Sequence, residues 1–300
     1  MKKTTTRGPA PIKVLRDAVH NLLSIDPALR PLTPEGRPGG LVEFPSTEKR
    51  EFIIIGDLHA NVRNLRAILD DSGNREKVRQ DAAVLLFLGD AVHSDRSGLG
   101  YAMDSSIEIM DIVLGLINEF PGNVLYLLGN HDSFAPELAK LGIQQGLLYR
   151  EALVKARGMQ YVQLMQELFE ALPVFIAHKH FLAVHAGPAR GGLTRNELVN
   201  VRRFENYMRQ LTWNRLNGTR SQPSINEYGP EDLDQARRLL GCPKDIPIFV
   251  GGGEESILVD PLGCHDHVIL HAALETTCPY ISVHGSSAYT VKYADLGLGR

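Results

Sequence analysis

At 300 residues with a net charge of −3 and a pI near 6.4, the chain lacks the basic excess with which a protein neutralises a nucleic-acid backbone, so no nucleic-acid partner is expected. Hydrophobic residues make up 43% of the chain, enough for a sizeable core. No apolar run reaches the ~18–20 residues of a membrane helix. The start, Met1-Lys2-Lys3-Thr4, leads into no signal-type apolar core, so a soluble, cytoplasmic protein with no membrane partner is expected.

Residues 1–50 read as a proline-rich extension. After a basic start and an amphipathic segment from Ile12 to Ile25 come Pro27, Pro31, Pro34, Pro38 and Pro45, a density that opposes regular structure and leaves the segment wrapped on the domain or loose. From Glu51 to residue 300 the pattern is apolar strand, polar loop and helix, repeated. Ile53-Ile54-Ile55 is a buried β-branched strand that stops at Gly56-Asp57-Leu58-His59. Val62, Leu65, Ile68 and Leu69 then mark a helix with one buried stripe. A second strand, Ala82 to Leu88, ends in Gly89-Asp90, with a helix predicted from Asp104 to Glu119. A third, Asn123 to Leu128, ends in Gly129-Asn130-His131-Asp132.

Residues 134–170 read as helical. Pro173 to Ala177 and Phe181 to Val184 pair across a turn at His178-Lys179-His180, which places both histidines at the surface, and the second strand runs into His185-Ala186-Gly187. Downstream come a helical segment (Asn196 to Arg209), a helix (Pro230 to Leu240), a strand (Ile246 to Val250) entering Gly251-Gly252-Gly253, and strands near 267–272, 280–283 and 288–293. No repeat and no domain linker interrupts this part. Cys242, Cys264 and Cys278 form neither an even set nor a Cys-X-X-Cys pair, so they read as idle thiols. Gly251-Gly252-Gly253 lacks the Lys-Ser/Thr of a phosphate-binding P-loop.

The repeated ending carries the chemistry. In sheets flanked by helices, ligands bind past the carboxyl ends of the strands. If the backbone stays extended through Leu58, Asp57 and His59 leave on one side. Asp57, His59, Asp90, Asn130 and His185 are hard or borderline donors that suit Mn²⁺, Fe or Zn²⁺, and five exceed the needs of one tetrahedral zinc. Two cations ~3.5–4 Å apart that share a carboxylate account for the surplus, and such a pair activates a bridging water while clamping a phosphoryl group. Asp90, central in the series, is the natural bridge. His131, directly after Asn130, is the candidate general acid for the leaving alkoxide, with Asp95 the nearest carboxylate to orient it.

Gly56-Asp57-Leu58-His59, Gly89-Asp90, Gly129-Asn130-His131-Asp132 and Val184-His185-Ala186-Gly187 together resemble the ordered motifs of the calcineurin-like metallophosphoesterases, in particular the phosphoprotein phosphatase branch. Leu211-Thr212-Trp213-Asn214 is similar to that branch's Leu-Leu-Trp-Ser-Asp segment, and the resemblance spans about residues 51 to 295. It implies a four-layer α/β/β/α sandwich with a dimetal centre at the strand ends. Asp57, His59 and Asp90 would hold one metal, Asp90, Asn130 and His185 the other. His131 would be the acid, while Arg96 and Asn130 would contact the phosphate. The implied reaction is hydrolysis of a phosphomonoester, phosphoserine or phosphothreonine on a protein, by in-line attack of metal-bound hydroxide. Hydrolysis of a dinucleoside polyphosphate or another small nucleotide is the alternative substrate class, and a catalytically weak binding protein the alternative function.

Three departures bear on that reading. The family loop after the bridging aspartate reads Gly-Asp-X-Val-Asp-Arg-Gly. Here His93 stands at its second aspartate and Asp95-Arg96 arrives two residues later, so either Asp95 or His93 partners His131, Asp95 being preferred. Asp132 replaces the branch's glutamate. The family's last metal histidine follows a strand such as Ile248 to Gly251, where this chain has Gly252-Gly253. His271, at the end of the next apolar strand, is the candidate substitute; His265, His267 and His284 are weaker ones.

Overall fold

The computed structural model describes residues 10–94, 101–140, 142–217, 224, 226–253, 255–286 and 288–297. In chain order the elements are α1 (Pro11–Leu23), β1 (Leu41–Glu43), β2 (Glu51–Ile55), α2 (Val62–Asp70), α3 (Asn74–Arg79), β3 (Ala83–Phe87), α4 (Asp104–Glu119) and β4 (Val124–Tyr126). There follow β5 (Ala139–Lys140), β6 (Ile143–Gln144), α5 (Gln145–Arg157), α6 (Met159–Ala171), β7 (Phe175–His178), β8 (Phe181–Val184), α7 (Arg195–Val199) and α8 (Glu205–Trp213). The last third holds β9 (Arg215–Leu216), β10 (Glu227–Tyr228), α9 (Pro230–Leu239), β11 (Ile248–Gly251), β12 (Ile257–Val259), β13 (His267–Leu270), β14 (Pro279–Val283) and β15 (Tyr289–Tyr293).

Two sheets carry the structure. One has five strands in the order β15-β14-β2-β3-β4, the other six in the order β1-β7-β8-β11-β13-β12. β2, β3 and β4 run parallel, as do β8, β11 and β13. Strand alternation divides the side chains between layers. Phe52, Ile54, Val84 and Leu86 face Phe181, Ala183, Phe249, Val268 and Leu270 in a core between the sheets. Ile53, Ile55, Leu85 and Phe87 point the other way, onto α1, α2, α4, α5 and α6. Leu182, Val184, Ile248 and Val250 meet α7, α8 and α9 on the far face. The result is a four-layer α/β/β/α sandwich.

Local chemistry sets several boundaries. Asn61 caps α2 by accepting from Asn64 N–H, Thr194 and Glu197 form a capping box on α7, and Pro230 opens α9. The amino-terminal segment is stitched in where it is described. α1 packs on α4 and α6 through Leu15, Ala18, Val19 and Leu22, and β1 pairs in parallel with β7. Arg30, buried, donates to the carbonyls of Gly39 and Leu22.

The surface placement of His178 is corrected. It ends β7 rather than opening a turn and lies buried among Phe44, Phe52 and Phe181. Burial lowers its pKa to about 4. His180 is half-buried beside it.

Candidate metal centre

The carboxyl ends of the parallel strands of both sheets meet at one place, and backbone bonds fix how they meet. Asp57, just past β2, forms a parallel bridge to His271, just past β13, and Ala272 N–H donates to the Asp57 carbonyl at 2.8 Å. The Asp90 carbonyl accepts from both Leu58 and His59 N–H, at 3.1 and 3.0 Å. His59 and Asp90 have φ of 41° and 51°, a left-handed conformation that costs a non-glycine residue energy and that these crosslinks hold. At the seam a Cβ on Gly56 would overlap the Leu270 carbonyl, so the two sheets touch backbone to backbone there.

Asp57, His59, Asp90, His131, His185 and His271 lie buried around this point. Their ligand atoms fall into three overlapping groups, Asp57 with His59 and His271, His59 with Asp90 and His131, and Asp57 with Asp90 and His185. Ring tautomers are set by backbone carbonyls: His185 Nδ1–H donates to Leu88 O at 2.8 Å and His59 Nδ1–H to His93 O at 3.1 Å. That leaves each Nε2 facing the donors. His185 Nε2 lies 2.9 Å from Asn130 Oδ1 and 3.4 Å from Asp90 Oδ2, and His59 Nε2 3.7 Å from Asp57 Oδ2.

These residues fit a pair of hard or borderline cations. Asp57 Oδ1 is buried without a hydrogen-bond donor, an arrangement that otherwise costs the full desolvation of the oxygen, and the oxygen and imidazole donors converge in mixed coordination. The electrostatics are those of crowded buried charges. Burial, then the Asp90 charge against the pull of His185, raises Asp57 to about 6. Burial lowers His185, but Asp90 and Asp57 outweigh it and lift its pKa to about 9. Asp132 braces the loops, accepting from Tyr126 O–H at 2.6 Å, Gly129 N–H at 2.8 Å and Asp90 N–H at 3.2 Å.

His131 Nδ1 lies 3.2 Å from His93 Nδ1, and His131 N–H donates to Asp90 Oδ1 at 2.8 Å. Asp95 and Arg96 lie outside the described residues. His93 is fully buried, its own N–H donates to Ser106 Oγ, and its ring sits edge-on to Tyr149. Burial, then the His131 charge, pushes its pKa well down.

The side of the centre at β11 is built differently. A Cβ on Gly251 would overlap Asp57 Oδ1. One on Gly252 would stand 3.8 Å from Asp57 Oδ2 and 4.0 Å from Arg215 Cζ, and Gly252 has φ +91°. Gly252 thus adjoins the centre without offering a donor. His271, the candidate substitute, is bridged to Asp57 and groups with Asp57 and His59, whereas His185 groups with Asp57 and Asp90. His267 is spoken for, with Nδ1–H donating to Ile248 O at 3.0 Å and Nε2 2.9 Å from Tyr228 Oη. His265 and His284 are exposed. Arg215, absent from the residues singled out in the sequence, reaches the centre from β9; its signal was the Trp213-Asn214 segment just before it.

Beside Asn130 a cavity of about 680 Å³ opens between α6 and α8, lined by Phe169, Met208 and Trp213 together with Arg202, Arg209 and Glu170. No helix among the described residues is long and apolar enough to cross a membrane.

The profile of the calcineurin-like phosphoesterases matches residues 51–250. Among solved structures, a protein serine/threonine phosphatase from Saccharomyces cerevisiae, described as similar to human phosphatase PP5, superposes with a TM-score of 0.71 at 15% identity, over 95% of this chain and 89% of its own. The cold-active protein-tyrosine phosphatase of a psychrophilic Shewanella gives 0.52 at 12% identity, over 87% and 82%. At these identities the likeness is one of fold.

Proposed function

Because the chain belongs to the calcineurin-like phosphoesterase family, we propose that it is a metal-dependent phosphomonoesterase acting on phosphoserine or phosphothreonine in proteins. Residues 51–300 would form the phosphoesterase domain and residues 1–50 an accessory segment. The observation that carries this reading is the convergence of Asp57, His59, Asp90, Asn130 and His185 on one buried point, with His131 alongside. Asp57, His59, Asp90 and His271 would hold one cation, and Asp90, Asn130 and His185 the second. Bound there, two cations supply Lewis acidity toward a phosphoryl oxygen and lower the pKa of water.

The chain's own groups do the rest. His131 delivers a proton to the leaving oxygen, which as an alkoxide leaves poorly without one. His131 Nδ1 is turned to His93, so the proton for that oxygen would come from Nε2. A protonated His131 donates Nδ1–H to His93, whose buried ring stays neutral and accepts, which favours His93 as an orienting partner; Asp95, preferred for that task on sequence grounds, lies outside the described residues. The cavity beside Asn130 has apolar walls and charges of both signs, which suits the side chains flanking a phosphorylated residue better than a second nucleotide phosphate chain. That favours a polypeptide over a dinucleoside polyphosphate.

Purified protein loaded with Mn²⁺ should turn over p-nitrophenyl phosphate and phosphoserine peptides, and act poorly on dinucleoside tetraphosphate. Preference for the tetraphosphate would reverse the substrate assignment. No turnover on any phosphoester, with metal bound, would leave a binding protein.

A further inference from the structure

The amino-terminal segment helps to enclose a second cavity, of about 730 Å³, between α1, residues 30–40 and the chain around α6 and α7. That is the size of a small-molecule site. Among the described residues it shares only Glu170 and Arg202 with the cavity beside Asn130. Val19 and Leu23 of α1, Ala171 of α6 and Val199 of α7 give it apolar walls. A small hairpin forms another part of the lining: Leu32 bridges Pro38 in antiparallel, and Thr33 N–H donates to Arg37 O at 2.7 Å.

Arg30 lines this cavity although it is only 1% exposed. Its Nε donates to Gly39 O at 2.8 Å and its Nη1 to Leu22 O at 3.1 Å, and among the described residues no carboxylate pairs with it. Burial, then the charge of nearby Arg202, lowers its pKa to about 9, which leaves it charged at neutral pH. Thr33 Oγ1, in the same lining, is buried without a hydrogen-bond partner. The acids that line the cavity, Glu35, Glu167 and Glu170, are exposed, and Glu35 is paired with Arg203. Among the described residues four arginines, Arg30, Arg37, Arg202 and Arg203, therefore meet three glutamates, and the surplus positive charge includes the buried one.

A buried charge without a counter-ion is costly, and an anion that reaches it restores the balance. A guanidinium has five N–H donors, of which two carbonyls cannot use all, and its planar fork matches a carboxylate. We propose that this cavity is a binding site for a small molecule with a carboxylate on an apolar body. The carboxylate accepts from the Arg30 guanidinium and the Thr33 hydroxyl, and the body lies against Val19 and Leu23. A single surplus charge suits a monoanion better than a phosphate dianion. The site stands apart from the metal centre and does not depend on the phosphoesterase reading.

The test uses the full chain loaded with Mn²⁺ and benzoate as the probe, with benzamidine as the probe of the same shape and opposite charge, both followed by titration calorimetry. Benzoate should bind and benzamidine should not. Arg30→Met should weaken benzoate by about tenfold or more, as loss of a hydrogen bond to a charged group does. Thr33→Val, which leaves the Arg30 bonds to Gly39 and Leu22 in place, should weaken it by about two- to tenfold and decides the matter if Arg30→Met does not fold. Asp90→Asn, directed at the metal centre, should bind benzoate as the wild type does. A wild-type protein that takes up no benzoate overturns the proposal, as does equal binding of benzamidine, or wild-type affinity in Thr33→Val and in a folded Arg30→Met. Loss of binding in Asp90→Asn would place benzoate on the metals and overturn it too.

Discussion

The candidate centre has two sides, and they are closed by different means. On the side of Asp57, His59 and His271 the donors arrive from both sheets and the backbone bridge between Asp57 and His271 locks them together. On the side of Asn130 and His185, the strand that could close the set ends in Gly251-Gly252 and a guanidinium borders the space. The contrast teaches that a donor set can keep its geometry while changing what it grips, since the Asp90 carbonyl is held by Leu58 and His59 N–H and the His185 ring by Leu88 O, none of them a group of residue 252.

The largest effect should come from removing what the sides share. Asp90→Asn is expected to lose both metals, measured by mass spectrometry of the purified protein. Turnover should fall by more than the ~10²–10⁴-fold that removal of one general acid costs. His131→Ala should show that smaller loss in kcat with metal content intact; undiminished turnover would remove His131 as the proton donor.

The next pair sets one side against the other. His185→Ala should take bound metal from two ions per chain toward one, because Asp90 and Asn130 alone would remain. His271→Ala, which removes a proposed ligand, should weaken the other ion by at least the ~10–100-fold that losing a supporting group costs, without changing the count at saturating metal. Equal losses in both variants would mean that the two sides do not bind independently.

The smallest effect lies at the other end of the sheets. Burial takes His178 from its ordinary 6.5 down to about 4, so between those values the unfolded chain binds the extra proton. Stability should therefore fall as pH drops from about 6.5 toward 4. His178→Phe should flatten that slope in urea melts at pH 7 and pH 5; an unchanged slope would assign it to other groups.

Much of this architecture is written locally. Runs such as Ile53-Ile54-Ile55 and Val84-Leu85-Leu86 specify strands through β-branched and apolar side chains, and the glycine and donor after each one mark where a ligand would be placed. What stayed illegible depends on distant partners. β1 follows Pro31, Pro34 and Pro38, and only its pairing with β7 makes it a strand. His93 meets His131 because a left-handed residue, φ 67°, turns its ring inward. His178 is buried because Phe44 and Phe52 cover it from another part of the chain. Arg215 is an exposed cation on β9, and only the absence of a side chain at Gly252, 37 positions on, lets it border Asp57.

The contact of Gly56 with Leu270 fixes the depth to which the two sheets can close. It works as a mechanical stop: the inter-sheet core drives the layers together, and the backbone at Gly56 decides where they come to rest. The spacing of the donors is thereby referenced to two main chains rather than to any side chain's rotamer. Sequence drift elsewhere in the interior can change how firmly the layers press, but the gauge of the site stays the same as long as residue 56 has no side chain.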